Sequence, residues 1–152
     1  MSLRERIDAE IKAAMKSKDK VRLETVRGIK KFIIEKEVSV RPSGQDGLTE
    51  AQEMEILVQI AKQRRDSIEQ YRKGGREDLV AQEEAELVIV EEYLPPQMSD
   101  EEISGVIDAV IASAGATSAK EMGKVMGAAM QQLKGKADGK KIQDMVKAKL
   151  SP

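Results

Sequence analysis

The fold is decided by residues 91–102, which read EEYLPPQMSDEE and have two adjacent prolines, Pro95 and Pro96, near the centre. Proline lacks a backbone N–H and clashes with the preceding helical turn, so a helix that leads into this pair has to end there. Ser99 follows, with Glu102 three residues later, which is the capping-box pattern for the start of a new helix. The stretch therefore predicts two helical domains, residues 1–95 and residues 96–152.

Upstream of the prolines, apolar residues recur every three or four positions, which is the period of amphipathic helices. Asp19 and Thr49 are suited to cap the second and third helices, because their side chains accept hydrogen bonds from free helix N–H groups. Gly74 and Gly75 end the third helix. The sequence predicts four helices in the first domain, over residues 3–16, 20–37, 49–73 and 77–93.

Downstream of the prolines the same period predicts a compact three-helix domain. Gly115 and Gly135 are suited to end its first two helices, and Asp138 is suited to cap the third. No segment has the alternating pattern of a strand, so the fold class is all-α, with a long-helix hairpin or bundle before the prolines. The three helices are predicted over residues 99–115, 118–133 and 139–150.

The composition excludes several kinds of chemistry. The 152 residues include no histidine and no cysteine, which rules out imidazole or thiol catalysis, disulfides and the usual zinc sites. We identify no catalytic residues, no metal ligands and no cofactor site. The N-terminus lacks an apolar signal core, and no apolar run approaches the roughly 20 residues of a membrane span. We therefore expect a soluble, cytoplasmic protein.

A group of glutamates near the end of the first domain is the first candidate site. Acid–base catalysis needs a carboxyl group whose pKa is tuned, usually by burial, and metal binding needs converging carboxylates. We interpret this group instead as a solvated helix face, in which one member pairs with Arg76 or with the basic end of the preceding helix. The group consists of Glu83, Glu84, Glu86, Glu91 and Glu92.

Charge changes sign within the second domain. Residues 77–119 contain no lysine or arginine, whereas residues 120–149 contain eight lysines and three carboxylates. Lysines that converge on phosphates give salt-sensitive, sequence-independent affinity for nucleic acid. The absence of aromatic residues from this basic region argues against single-strand recognition, so contact with the backbone of folded RNA is expected. The predicted RNA-binding residues are Lys120, Lys124, Lys134, Lys136, Lys140 and Lys141.

Two details of this basic region have alternative interpretations. Residues 135–141 could hold an anion at the start of the last helix, or could simply connect two helices with Gly135 and Asp138 as caps. Gly123 and Gly127 suggest close approach of another backbone, either a neighbouring helix or an RNA phosphate. The acidic stretch before Lys120 could shield the other side of the domain. We predict that three methionines, one per helical turn, pack in the core: Met122, Met126 and Met130.

Several motifs resemble those of the GatB/YqeY family, and the resemblance extends over nearly the whole chain. They are RDSIEQY at residues 65–71, GREDL at 75–79, EEYLP at 91–95, MGKVMG at 122–127 and KGKADG at 134–139. The resemblance implies a free-standing YqeY-like protein with an N-terminal helical part and a three-helix tail. That tail domain also ends the B subunit of tRNA-dependent amidotransferases and is fused to some glutaminyl-tRNA synthetases.

The resemblance also implies that the tail touches tRNA, with Lys124, Lys134 and Lys136 at matching positions. Family members are commonly labelled as carbon–nitrogen ligases that use glutamine as amido donor, but the domain that carries this chemistry in the amidotransferase is absent here. We therefore expect a tRNA-binding accessory protein of aminoacyl-tRNA metabolism and translation, not itself catalytic. An aminoacyl-tRNA synthetase or an amidotransferase is a further candidate partner, and no membrane or DNA is expected. The alternatives are a helical protein–protein adaptor or an accessory component of an amidotransferase complex.

Overall fold

The computed structural model describes residues 1–151, and over that range the chain is all α-helical, as predicted, with no β-strand. The chain divides into two compact units, an N-terminal unit of Met1–Leu94 and a C-terminal unit from Pro95 onward. No helix in the described part is long and apolar enough to cross a bilayer. The α-helices of the described residues are α1 Leu3–Ser17, α2 Lys20–Val40, α3 Glu50–Lys73, α4 Glu77–Glu91, α5 Asp100–Ala114, α6 Met122–Leu133 and α7 Gly139–Leu150.

The helix starts follow the local capping chemistry. The Asp19 side chain accepts a hydrogen bond from the backbone N–H of Arg22, and Thr49 and Ser99 each form a complete capping box. Two boundaries differ from the prediction by three or more residues. Helix α2 continues to Val40, because the first residue that breaks a helix is Pro42, within a short 3₁₀ turn. Helix α6 is preceded by a 3₁₀ turn over Ala119–Glu121 and begins only at Met122.

The N-terminal unit is built from two antiparallel helix pairs, α1 with α2 and α3 with α4. In the first pair, an ion pair joins Arg4 at the start of α1 to Glu37 near the end of α2. In the second pair, Arg72 near the end of α3 meets Glu84 on α4. The apolar stripes of all four helices meet in one core, which includes Ile7, Val26, Ile29, Ile33, Leu57, Ile60, Ala61 and Val90.

The apolar residues in the helices of the N-terminal unit are not all buried. Met15 on α1 is 55% exposed and Val88 on α4 is 63% exposed. Helix α1 packs mainly against α2, so only a narrow stripe of its surface is covered, namely Leu3, Ile7 and Ala14. The recurrence of apolar residues in the sequence identifies the apolar side of a helix, but the number of helices packed against it decides how much of that side is buried.

In the C-terminal unit, α5 and α7 run parallel and α6 runs antiparallel to them. Asp100 forms an ion pair with Lys141, and Asp108 forms one with Lys149. Both acidic residues and both lysines are eight positions apart, so α5 and α7 run in the same direction. The three helices enclose a core of Ile103, Ile107, Val125, Ala129, Leu133, Ile142 and Val146. Met122, Met126 and Met130 pack against this core, which confirms their predicted role.

Candidate nucleic-acid interface

Three of the predicted RNA-binding lysines lie on or beside α6: Lys120 in the 3₁₀ turn before it, Lys124 within it and Lys134 directly after it. All three side chains are exposed, and at 3.6 residues per turn Lys124 and Lys134 lie about 80° apart around the helix axis. At a rise of 1.5 Å per residue, Lys124 and Lys134 are about 15 Å apart along the axis. None of the three has an ion-pair partner among residues 1–151, so their charges are available to a ligand.

The two glycines of α6 lie on the same side of the helix as these lysines. Both are exposed, and a Cβ atom built on Gly123 or Gly127 would have no heavy atom within 4 Å. The expectation that a neighbouring helix approaches these glycines is therefore wrong, because the core contacts α6 through the opposite side. With Gln131, which is also exposed, these residues form what we call the α6 stripe: Lys120, Gly123, Lys124, Gly127, Gln131 and Lys134.

The remaining predicted lysines, Lys136, Lys140 and Lys141, surround the turn between α6 and α7. The turn is fixed in place by the segment after the prolines. Gln97 Nε2 donates to the carbonyl oxygens of Pro95 at 2.9 Å and Gly135 at 2.8 Å. The Met98 N–H donates to the Lys136 carbonyl oxygen at 2.9 Å. The backbone that carries Lys136 is thus held before any ligand arrives, which lowers the entropy cost of binding.

Sequence reasoning missed Gln97. A glutamine beside two prolines has no helical period and no charge, so the only available signal was its position in the linker between the domains. Its role depends on a contact 38 residues away in the sequence. Such a contact follows from the folded arrangement of the C-terminal unit and not from local pattern.

Replacing Gln97 with alanine should loosen this turn. The substitution removes both hydrogen bonds from a half-buried amide, and we expect the free energy of unfolding of the C-terminal unit to fall by about 1 kcal/mol. Backbone amide exchange at Lys136 and Ala137 should become faster, and this can be measured by hydrogen exchange. The control is Gln131→Ala, because Gln131 is exposed. Equal exchange rates at the turn in the two variants would contradict the assigned role.

The first turn of α7 combines capping with positive charge. Asp138 Oδ1 accepts a hydrogen bond from the Lys140 backbone N–H at 3.2 Å, which confirms the predicted N-cap. Lys141 forms an exposed ion pair with Asp100 at 2.9 Å, so its charge is partly neutralised. An exposed pair of this kind contributes little, about 0–1 kcal/mol, so an incoming phosphate can replace Asp100.

Two acidic residues of α5 pair with lysines of α7 instead of lying on a separate side of the unit. Asp100 and Asp108 meet Lys141 and Lys149 at 2.9 Å and 2.7 Å, because α5 packs directly against α7. The expected separation of acidic and basic surfaces is therefore wrong along α7. The expected separation still holds for the α6 stripe, because none of its lysines pairs with a carboxylate among the described residues.

The glutamates in and just after α4 are only partly a solvated face, because all of them form ion pairs and one is buried. Arg64 on α3 meets Glu83 at 3.1 Å and Glu86 at 2.7 Å, and Glu86 is only 7% exposed. The other three members pair as well, Glu84 with Arg72, Glu91 with Arg65 and Glu92 with Arg22. The interpretation as a solvated face is therefore wrong for the buried Glu86, whereas the expected pairing of one member with the basic end of the preceding helix is confirmed by Arg72 and Glu84. The glutamates help to hold α4 against its neighbours.

Glu86 has a perturbed titration. Burial raises its pKa above the ordinary glutamate value, and the charges of Glu83 and Glu24 raise it further, while Arg64 acts in the opposite direction. A buried carboxyl with a raised pKa is a common feature of acid–base catalysts, but here its contacts are those of a structural ion pair between two helices.

The six predicted lysines do not converge on one point. Three lie along the α6 stripe and three surround the next turn, so together they cover an extended surface roughly 20 Å long. A surface of this shape suits a linear polyanion, whose phosphates recur along a chain, better than a compact small molecule.

Comparison with known proteins gives consistent matches along the chain. A family model described as "Yqey-like protein" matches residues 4–150. The proteins named "Altered inheritance of mitochondria protein 41, mitochondrial" are among the similar curated proteins. The one from Pyrenophora tritici-repentis is 32% identical over 95% of this chain and 81% of its own length. The one from Lachancea thermotolerans is 37% identical over 64% of this chain, which spans about half (52%) of that relative.

Proposed function

Because the chain belongs to the YqeY-like protein family, we propose that it is a tRNA-binding accessory protein that acts in aminoacyl-tRNA metabolism without being a catalyst itself. The proposed contact surface is the α6 stripe together with the turn lysines Lys136, Lys140 and Lys141. The affinity is expected to come from the sugar-phosphate backbone and not from base recognition.

The observation that supports the proposal most is the composition of the α6 stripe. Two glycines within a helix cost about 1 kcal/mol each relative to alanine, and neither is required by contacts within the protein. Lysines free of carboxylate partners flank them on the same side of the helix. A surface where backbone can approach backbone, bordered by cations, suits a ribose-phosphate chain better than it suits a protein partner.

The choice of tRNA over other polyanions rests on the resemblance of the tail domain to that of the tRNA-dependent amidotransferase B subunit. The absence of aromatic residues from residues 95–152 is consistent with a folded RNA, because single strands are usually bound by stacking. An aminoacyl-tRNA synthetase or an amidotransferase is the proposed neighbour on the same tRNA. The cytoplasm is the proposed compartment, whereas the names of the curated relatives refer to mitochondria.

The test is a titration of labelled, unfractionated tRNA followed by fluorescence anisotropy at several salt concentrations. The double variant Lys134→Ala/Lys136→Ala should bind about tenfold more weakly at 0.1 M salt, because each substituted position no longer neutralises a phosphate. The slope of log affinity against log salt should fall by about 1.5, since two fewer phosphates are neutralised.

The matched control is Lys31→Ala/Arg41→Ala, which removes the same charge from exposed positions in the N-terminal unit. This variant should keep nearly full affinity and an unchanged salt slope. Equally weakened binding in the two double variants would mean that only net charge matters, and the proposed interface would be wrong. No binding of the unaltered protein at low salt would rule out the function itself.

A further inference from the structure

A shallow groove between α5 and α6 runs beside the α6 stripe, and the proposed contact surface does not include it. Its volume is about 480 Å³. Lys124 belongs both to the stripe and to the lining of the groove, so the two surfaces are continuous. We call it the α5–α6 groove; it is lined by Ala109, Val110, Ser113 and Ala114 on α5 and by Lys124, Ala128 and Gln132 on α6.

Apart from Lys124, the lining of the groove is uncharged and most of its side chains are small. Residues 109–119 contain no charged residue, and three of the seven lining residues are alanine. The carboxylates around the groove are engaged within the protein: Asp108 with Lys149, Glu102 with the Ser99 N–H and Glu121 with the Thr117 N–H. A phosphate chain on the α6 stripe can therefore extend over the groove without meeting a free carboxylate.

Two polar side chains of the groove have no partner within the protein. Ser113 and Gln132 are exposed, and neither side chain forms a hydrogen bond with another group among residues 1–151. A serine hydroxyl and a glutamine amide can each donate and accept hydrogen bonds. The ribose 2′-hydroxyl is also both a donor and an acceptor, and it is the group by which a protein distinguishes RNA from DNA.

The width of the surface decides which nucleic-acid groove it fits. Because α5 and α6 pack side by side, the stripe and the groove together form a surface two helices wide, about 20 Å. The major groove of B-DNA is about 12 Å wide and admits one helix, and the minor groove, about 6 Å wide, admits none. The minor groove of an A-form RNA helix is wide and shallow and displays the 2′-hydroxyls. The surface therefore fits this groove better than either groove of DNA.

We propose that the α5–α6 groove selects double-helical RNA over DNA, with Ser113 and Gln132 hydrogen-bonded to ribose 2′-hydroxyls in the minor groove. The lysines of the α6 stripe neutralise the phosphates beside that groove, and Gly123 and Gly127 let the ribose come close to the helix. This proposal rests on the RNA binding proposed above and adds the class of RNA that is contacted, namely a base-paired stem.

The lining of the groove favours a sugar-phosphate chain over a protein partner. The residues that dominate protein interfaces are large anchors such as tryptophan, tyrosine and arginine in fully desolvated pockets. The α5–α6 groove contains none of these, and Val110, its largest purely apolar side chain, is only 5% exposed. Little apolar surface is thus left to bury against a protein.

The experiment uses three labelled duplexes of one sequence, each about 16 base pairs long, and measures their binding to the full chain by anisotropy. The first is RNA, the second is 2′-O-methyl RNA, which keeps the A-form but has no hydroxyl donor, and the third is DNA. At 0.1 M salt the RNA duplex should bind about tenfold more tightly than the DNA duplex, because only RNA offers both the wide minor groove and the hydroxyls. The 2′-O-methyl duplex should lie between them.

Ser113→Ala/Gln132→Ala tests the hydroxyl contacts directly. It should weaken the RNA duplex about fivefold, because two hydrogen bonds are lost, and leave the 2′-O-methyl and DNA duplexes nearly unchanged. The salt slope should stay the same, since no phosphate contact is removed. Lys134→Ala/Lys136→Ala should instead weaken all three duplexes alike. The matched control is Ser39→Ala/Gln143→Ala, which removes the same groups from exposed positions outside the groove and should change nothing.

The outcomes separate this proposal from the proposed function. Equal affinity for the RNA and DNA duplexes in a protein that binds tRNA overturns the role of the groove and leaves tRNA binding intact. Binding of tRNA without binding of the RNA duplex does the same. An equal loss on all three duplexes in Ser113→Ala/Gln132→Ala, or an equal loss of RNA affinity in the control variant, also overturns it. If neither tRNA nor the RNA duplex binds, the proposed function fails and this inference fails with it.

Discussion

Arg64→Ala is expected to destabilise the N-terminal unit by about 3 kcal/mol at pH 7. Glu86 is 7% exposed and meets Arg64 at 2.7 Å, so the substitution leaves a nearly buried carboxylate without its main cation. Removing one partner of a buried pair costs about 3–5 kcal/mol, and the lower end applies because Arg64 is partly exposed. Both tyrosines of the protein, Tyr71 and Tyr93, belong to this unit, so tyrosine fluorescence during urea unfolding measures its stability separately.

The destabilisation caused by Arg64→Ala should shrink as the pH falls. The folded-state pKa of Glu86 is raised above the ordinary value of 4.5, because burial disfavours the charged form. The folded protein therefore holds the proton more tightly than the unfolded chain, and the cost of charging Glu86 disappears as the pH falls through the folded pKa. Without Arg64 this pKa rises further. The variant should consequently be closer to the unaltered protein at pH 5 than at pH 7.

Two comparison variants make this prediction specific. Arg72→Ala removes a similar arginine from α3, but its pair with Glu84 is about half exposed on both sides, so the destabilisation should be at most about 0.5 kcal/mol. Glu86→Gln removes the titrating group and should flatten the pH dependence of stability. If Arg64→Ala cost no more than Arg72→Ala, or cost the same at pH 5 and pH 7, the buried ion pair would not have the importance assigned to it.

The features that the sequence predicts well are those decided by neighbouring residues. Asp19, Thr49 and Ser99 cap helices because a short polar side chain can reach the free N–H groups of the next turn, whatever the rest of the protein does. Gly115 ends α5 in the left-handed conformation for an equally local reason. The all-α fold follows from these signals together with the apolar period.

The pairing of charges could not be predicted in the same way. Arg64 and Glu86 are 22 positions apart, and their contact depends on how α3 and α4 are rotated about their axes. Apolar and acidic residues are interleaved along α4, so the period alone does not say which glutamate faces inward. The same reasoning explains why the pairing of Asp100 and Asp108 with lysines of α7 could not be predicted from the sequence.

The candidate interface was predicted only in part. The identity of the lysines followed from the charge count, but their division between the α6 stripe and the turn depends on where α6 begins and ends. Local composition also suggested a close approach at Gly123 and Gly127 without deciding what approaches. In the structure no neighbouring helix approaches either glycine. Whether an RNA backbone approaches them is tested by substituting both glycines.

Gly123→Ala/Gly127→Ala is expected to stabilise the C-terminal unit and at the same time to weaken tRNA binding. Both glycines lie within α6 with open space around them, so alanine fits and adds about 2 kcal/mol in total, about 1 kcal/mol at each position. The two new methyl groups would keep a ribose-phosphate chain away from the helix backbone. We expect tRNA affinity to fall at least tenfold, measured by anisotropy beside a urea titration followed by methionine methyl NMR.

Gly105→Ala is the matched control for this pair of effects. Gly105 is an exposed glycine within α5, and a Cβ atom there would also have no neighbour within 4 Å, so alanine should stabilise the same unit by about 1 kcal/mol. It lies outside the α6 stripe and should leave tRNA affinity unchanged. If the α6 double variant kept full affinity as well, the lysines would act without close approach of the RNA to the helix. If both variants bound tRNA more weakly, stabilisation itself would hinder binding, and the stripe would no longer be supported as the contact surface.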